Sequence, residues 1–172
     1  MSKLIKIICL ITVTSLVFLA GCTTVDIPKK NSETSQAAQS TAEEYTIGDT
    51  AVFKDIKITA EEIIKNEPEY LKADEGKKYI AVKFTIENIS SEDQNVSSMI
   101  MFNSYSDGVK LDYSFGATSG LDGSLDGSIS AGKKMIGYYG AEVDENAEKL
   151  EIEVNSGFLT VGKAVFTFDI PA

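Results

Sequence analysis

Lys78-Tyr79-Ile80-Ala81-Val82-Lys83-Phe84-Thr85-Ile86-Glu87 is the stretch on which the fold turns. Ile80, Val82, Phe84 and Ile86 fall on one side of an extended chain, and Ala81, Lys83, Thr85 and Glu87 on the other. Successive side chains of a strand point to opposite faces, so this reads as a half-buried strand. Asn88-Ile89-Ser90-Ser91-Glu92-Asp93 then breaks the alternation with residues that bond their own backbone in turns.

The same period of two recurs along the chain. Ile56, Ile58 and Ala60 begin an early strand, Leu150, Ile152 and Val154 alternate with Glu151 and Glu153, and Ala164, Phe166, Phe168 and Ile170 form a last strand before Pro171. Residues 135–143 read as a further strand, weakened by Gly137 and Gly140. Asp107-Gly108 lies between the apolar stretches 99–106 and 109–113, which is a hairpin signal. Residues 60–70 have good helix propensity in Glu61-Glu62-Ile63-Ile64-Lys65. They follow directly on a strand pattern, however, and the expectation is a strand running to Ile64 and a loop through Pro68. Residues 144–149 suit one short turn. Many short strands, regular turns and no long amphipathic helix predict an all-β antiparallel sandwich, with a small Greek-key barrel as the runner-up.

Three regions precede or make up this unit. Residues 1–21 carry Lys3 and Lys6, then an apolar run of about 14 residues, too short to span a bilayer at roughly 20. A basic start, a short apolar stretch and small residues at its end make a secretory signal. Leu19-Ala20-Gly21-Cys22 resembles the processing box of a bacterial lipoprotein, with cleavage between Gly21 and Cys22 and diacylglycerol on the Cys22 thiol. Two acyl chains suffice for stable anchoring where one is marginal. Residues 22–44 are rich in Thr, Ser, Gln, Ala, Lys and Glu and contain no aromatic before Tyr45. They read as a flexible spacer of roughly 25 Å root-mean-square reach. Residues 45–172 are the folded domain. Cys9 leaves with the signal and Cys22 is lipid-blocked, so no disulfide is expected and the core alone holds the domain.

Ile47-Gly48-Asp49-Thr50, Ile56-Lys57-Ile58-Thr59, the run from Gly76 to Asn88, Asp107-Gly108 and Ser130-Ala131-Gly132-Lys133-Lys134 together resemble a known family. It is the uncharacterised immunoglobulin-like domain family of surface lipoproteins, chiefly of Gram-positive bacteria, whose fold also occurs in a small secreted mycobacterial antigen. The resemblance covers about residues 45–170. It departs from the family where a proline commonly stands at Ala131, and where an aromatic and a proline are usual near Ala141 and Asp144. It implies an immunoglobulin-like sandwich used for extracellular contact or support, and it implies no substrate.

Composition excludes much chemistry. The 172 residues hold 16 basic residues, all lysine, and 26 acids, and removal of residues 1–21 takes two lysines and no acid, moving the formal charge from −10 to −12. Nucleic acid needs a basic face to neutralise phosphates, so it is not an expected partner. Without histidine, arginine or a free thiol there is no Ser-His-Asp or Cys-His nucleophile system and no histidine-bound metal. Carboxylates, Lys, Tyr and Ser remain. No cofactor is expected, and the domain reads as a non-enzyme.

The candidate contacts cluster in the second half. Leu121-Asp122-Gly123-Ser124 and Leu125-Asp126-Gly127-Ser128 are a tandem repeat within the Gly-rich stretch 116–132. Asp-Gly pairs serve tight turns, and Asp122 and Asp126 with loop carbonyls are also the oxygens that Ca²⁺ takes. Tyr105, Tyr113 and Phe115 flank the hairpin with Asp107 and Asp112, as contact aromatics or as filling for the end of the core. Tyr138 and Tyr139 are adjacent, so one faces inward and one outward, and Tyr139 is taken as a contact with Tyr113, Asp122 and Asp126. Glu61-Glu62 and the group Glu142, Asp144, Glu145 and Glu148 suit solvated strand edges and loops. These features predict a protein anchored to a membrane through Cys22 on the extracytoplasmic side. It would bind a protein or cell-envelope component. Capture of Ca²⁺ or a small ligand at 116–132 and carboxylate-driven hydrolysis of envelope glycan are the alternatives.

Overall fold

A computed structural model describes residues 29–30, 44–155 and 162–171 of the protein. The signal segment, Cys22 and most of the 22–44 spacer lie outside the described residues. Within that spacer, the backbone of β1 (Lys29–Lys30) pairs with Val52 and Ala51.

Two five-stranded sheets face each other. The first has the order β1, β3 (Thr50–Val52), β4 (Ile56–Asn66), β5 (Lys77–Asn88), β10 (Lys134–Asp144). The second runs β2 (Glu44–Tyr45), β12 (Lys163–Asp169), β11 (Lys149–Asn155), β7 (Phe102–Ser106), β8 (Val109–Leu111). A small ribbon of β6 (Gln94–Val96) and β9 (Gly127–Ile129) stands apart. All pairs are antiparallel except β2 with β12, which is parallel. One bridge, Tyr113 to Ala141, links the sheets outside the ladders, and they do not close into the runner-up barrel.

The alternation read from the sequence places the core. Ile80, Val82, Phe84 and Ile86 are fully buried, as are Ile58, Ala60, Ala141 and Val143 from the neighbouring strands. Leu150, Ile152, Val154, Phe166 and Phe168 meet them from the second sheet. Phe84 crosses the gap: its ring stands 5.3 Å from Phe102 and 5.5 Å from Phe166, edge to face in both cases. Burying a side chain of this size contributes about 2–3 kcal/mol. Residues 60–66 continue β4, two residues past the expected end.

The hairpin β7–β8 forms at Asp107-Gly108, whose φ values of 50° and 75° are those of a two-residue turn with both centres left-handed. The expected strand 99–106 begins only at Phe102. Ser98–Met101 is instead one helical turn, α1. The Asp126 carboxylate accepts hydrogen bonds from the Ser98 backbone N–H and from Ser98 Oγ, both at 2.8 Å, and braces its start.

The first part of the Gly-rich stretch, up to Leu125, is a strap around the free edge of β10. The short helix α2 (Phe115–Thr118) lies on the outer face of the first sheet, where Asn66 at the end of β4 donates to the Ala117 and Ser119 carbonyls at 3.0 and 2.9 Å. The chain then returns over the edge, and Leu125 enters the main core at 1% exposure. The Ser114 and Ser124 N–H groups donate to the Gly140 and Ile136 carbonyls, covering an edge otherwise open to pairing. Gly140 permits this approach: a Cβ there would sit 2.5 Å from the Ser114 carbonyl oxygen. Gly137 does the same under the Ser124 backbone. The two glycines that weaken the strand pattern are contact points for another backbone.

Gly140→Val should therefore destabilise the domain by about 1–3 kcal/mol. Urea unfolding measures this, and hydrogen exchange should quicken at the amides of 114–124. An unchanged midpoint would mean that the strap does not pack on β10.

Candidate functional site

The outer face of the first sheet carries the best-built polar site. Glu62 of β4, Lys83 of β5 and Tyr138 of β10 are direct cross-strand neighbours in one row. The pairing of β4 with β5 shifts register between Ala60 and Glu62, a bulge that leaves Glu61 as the extra residue. A bulge re-aims side chains locally. Here it sets two consecutive glutamates on the outer side and returns Ile63 to the core side. The glutamates lie on an interior strand of the sheet, which corrects their expected place at an edge.

The hydroxyl of Tyr138 donates to Glu62 Oε1 at 2.6 Å, and Lys83 Nζ lies 3.5 Å from the same oxygen and 3.9 Å from Glu61 Oε2. The Thr85 hydroxyl donates to Glu61 Oε1. Lys83 Nζ also stands over the Tyr138 ring, 5.8 Å from its centre. Gly120, Leu121, Asp122 and Gly123 of the strap wall one side of a recess of about 490 Å³, with Ile136, Tyr138 and Lys83 on the other.

Electrostatics follow from this geometry. The hydrogen bond from Tyr138 holds the Glu62 carboxyl below its ordinary range, against an opposing effect of burial and with help from the Lys83 charge. The same bond, with burial and the Glu62 charge, pushes the Tyr138 phenol up to about 12. Glu62 is thus held as an acceptor. That is the wrong state for a carboxylic acid that must hand a proton to a leaving group.

The other expected site residues are dispersed. Tyr139 is not a contact residue: it is 2% exposed, stacked on Phe102 at 5.4 Å, with its hydroxyl 3.3 Å from Ser104 Oγ. Register decides this, because Tyr139 shares the inward parity of Ala141 and Val143, and Tyr138 takes the outer side. Tyr113 is half-buried, edge-on to Tyr139 at 5.4 Å and to Phe115 at 4.8 Å. Phe115 is 71% exposed and, with Val109, Leu111, Asp107 and Asp112, lines a groove of about 560 Å³ between the hairpin and the end of β10. Glu142 and Asp144 border the same groove, and Glu142 accepts from the Asp74 N–H at 2.6 Å.

The tandem repeat splits. Asp122 faces the Tyr138 recess and Asp126 is taken up by Ser98, so the two carboxylates do not converge on a cation. Among the described residues no group of three or more metal-ligating carboxylates forms. The repeat hides this split because Leu125 is core and Leu121 is only half-buried. The Glu62–Lys83–Tyr138 row escaped sequence reasoning. Its signal was there: the apolar period of Ile56, Ile58 and Ala60 resumes at Ile63, one residue out of step.

The family model for a domain of unknown function, DUF4352, matches residues 45–165. The chain belongs to the DUF4352 family. No curated protein matches it in sequence. Several solved structures resemble it in fold. The ycdA protein of Bacillus subtilis, named as a "putative lipoprotein", is 18% identical with a TM-score of 0.55, over 67% of this chain and 36% of that one. This chain therefore spans about a third of ycdA. A second "putative lipoprotein", from Staphylococcus aureus, is 24% identical with a TM-score of 0.51, over 69% and 88% of the two chains. MPT63, a secreted protein of Mycobacterium tuberculosis, is 13% identical with a TM-score of 0.52, over 73% and 98%. These likenesses agree with the all-β antiparallel sandwich expected from the sequence.

The Glu62–Tyr138 pair has a spectroscopic signature. Tyr138 should ionise late in an ultraviolet titration, near pH 12, and Glu62→Gln should bring it down toward 10. Because the folded phenol holds its proton more tightly, its stabilising effect is complete below pH 10 and is lost as pH rises from 10 toward 12. For Glu62 the direction reverses: its lowered value stabilises the fold above the ordinary carboxylate range, and that support is lost as pH falls through its folded value. An unaltered tyrosine titration in Glu62→Gln would break the assignment.

Proposed function

We propose that this DUF4352 protein is lipid-anchored on the extracytoplasmic side of a membrane and works there as a non-catalytic binding module. Its partner is a protein or a component of the cell envelope. The observation that carries the binding role is the row Glu62–Lys83–Tyr138 beside Asp122, a fixed set of donors and acceptors on an accessible sheet face. The Leu19-Ala20-Gly21-Cys22 box supports the anchoring, and the fold neighbours named as lipoproteins or as secreted agree with the location. Glu62 held in its ionised form argues against it as the proton-donating acid of a glycan hydrolase. Asp126 engaged by Ser98 argues against a cation at 116–132 as the main activity.

Two measurements test the two halves. Cys22→Ala should release the protein from the membrane pellet in its source cells, and a variant that still pellets would end the lipid-anchor reading. A photo-crosslinking side chain at Asp122 or Phe115 in intact cells should give one discrete adduct. Diffuse labelling at both positions would count against a binding module.

A further inference from the structure

The recess beside Tyr138 also indicates the kind of ligand it suits. Lys83 sits among Glu61, Glu62 and the Tyr138 ring and offsets one of the two glutamate charges, so its ammonium is already matched and an anionic ligand is disfavoured. What remains is short-range hydrogen bonding. The Asp122 carboxylate offers acceptors, and the ammonium of Lys83 offers donors. The apolar part of the recess is Ile136, 48% exposed, with Leu121 from the strap. Tyr138 is held by its bond to Glu62, so its ring does not have to be ordered when a ligand arrives. The volume of about 490 Å³ lies within the usual range for small-ligand clefts.

Acceptors and donors side by side, next to an aromatic ring and an alkyl surface, match a molecule that is hydroxylated at its rim and apolar on its C–H faces. From this geometry, and resting on the binding-module reading above, we infer that the Tyr138 recess is a glycan subsite that takes an uncharged pyranose ring of a cell-envelope polysaccharide. Sugar hydroxyls bond Asp122 and Lys83, and the ring C–H face packs on Tyr138 and Ile136.

The test uses the mature lipidated chain in detergent micelles, with the β-1,4-linked tetramer of N-acetylglucosamine as probe and saturation-transfer NMR as readout. Saturation should pass to ring C–H protons of one or two sugar units. Tyr138→Ala should weaken binding about tenfold or more, as loss of an aromatic contact and its packing does. Asp122→Asn should weaken it less. Thermal unfolding of each variant establishes that the domain is still folded. Gln94→Ala, on the separate β6–β9 ribbon and outside the recess lining, should leave binding unchanged. A panel of neutral oligosaccharides that all fail to bind the folded protein overturns the inference. So does salt-sensitive binding of a pentalysine peptide at the recess in place of the sugar, which would make the partner a basic protein. If the sugars fail while Asp122 still crosslinks one protein in cells, the glycan subsite falls and the binding module stands. If both fail, both fall.

Discussion

The Phe84 ring, fully buried and edge-on to Phe102 and Phe166, is the contact on which the structure depends. It projects from the middle of β5, the strand with the longest ladders on both sides, and it meets two strands of the opposite sheet. With no disulfide available in the described domain, nothing covalent holds the sheets together. Their separation and register rest on such interdigitation, in which aromatic edges meet faces and leave few voids. Tyr45 continues the layer at the parallel β2–β12 pair, 5.1 Å from Phe166. The outer face of β5 is thereby fixed as well, because inward Phe84 obliges Lys83 and Thr85 to point out.

A second constraint is the edge of β10. An eleven-residue strand ending a sheet is an invitation to pair with another chain, and this protein covers it with its own strap. The cover works through glycine. Gly140 and Gly137 let backbone lie on backbone, and Asn66 reaches from β4 to hold α2 in place. The strap in turn brings Asp122 to Tyr138. A feature that protects the fold therefore also builds one wall of the candidate site.

The candidate site shows how a sheet can order charges without burying them. Glu62, Lys83 and Tyr138 come from three strands, and ladder spacing alone places their Cβ atoms within reach of one another. The bulge adds Glu61 to the same side. Lysine between two glutamates limits repulsion in a strongly acidic domain, and the short bond from Tyr138 keeps Glu62 in one state. Solvent and salt weaken pairs as exposed as these, so their role is orientation more than stability.

Residues 78–87, 150–154 and 164–170 announce their strands and their core faces because burial on one side of a strand enforces a period of two, and that period is visible in side-chain type. Asp107-Gly108 announces its hairpin because left-handed centres need such residues. The box at Cys22 and the acidic, histidine-free composition likewise belong to the sequence alone, as does the range of chemistry they exclude. What it left open were relations between distant segments. Tyr139 and Tyr138 are alike until register assigns one to the core. Asp122 and Asp126 are alike until Leu125 turns inward and Ser98 claims the second carboxylate. Gly137 and Gly140 look like defects until another backbone lies on them. Local pattern records which way a side chain faces relative to its neighbours in the chain, and only the packed sheets decide what stands opposite.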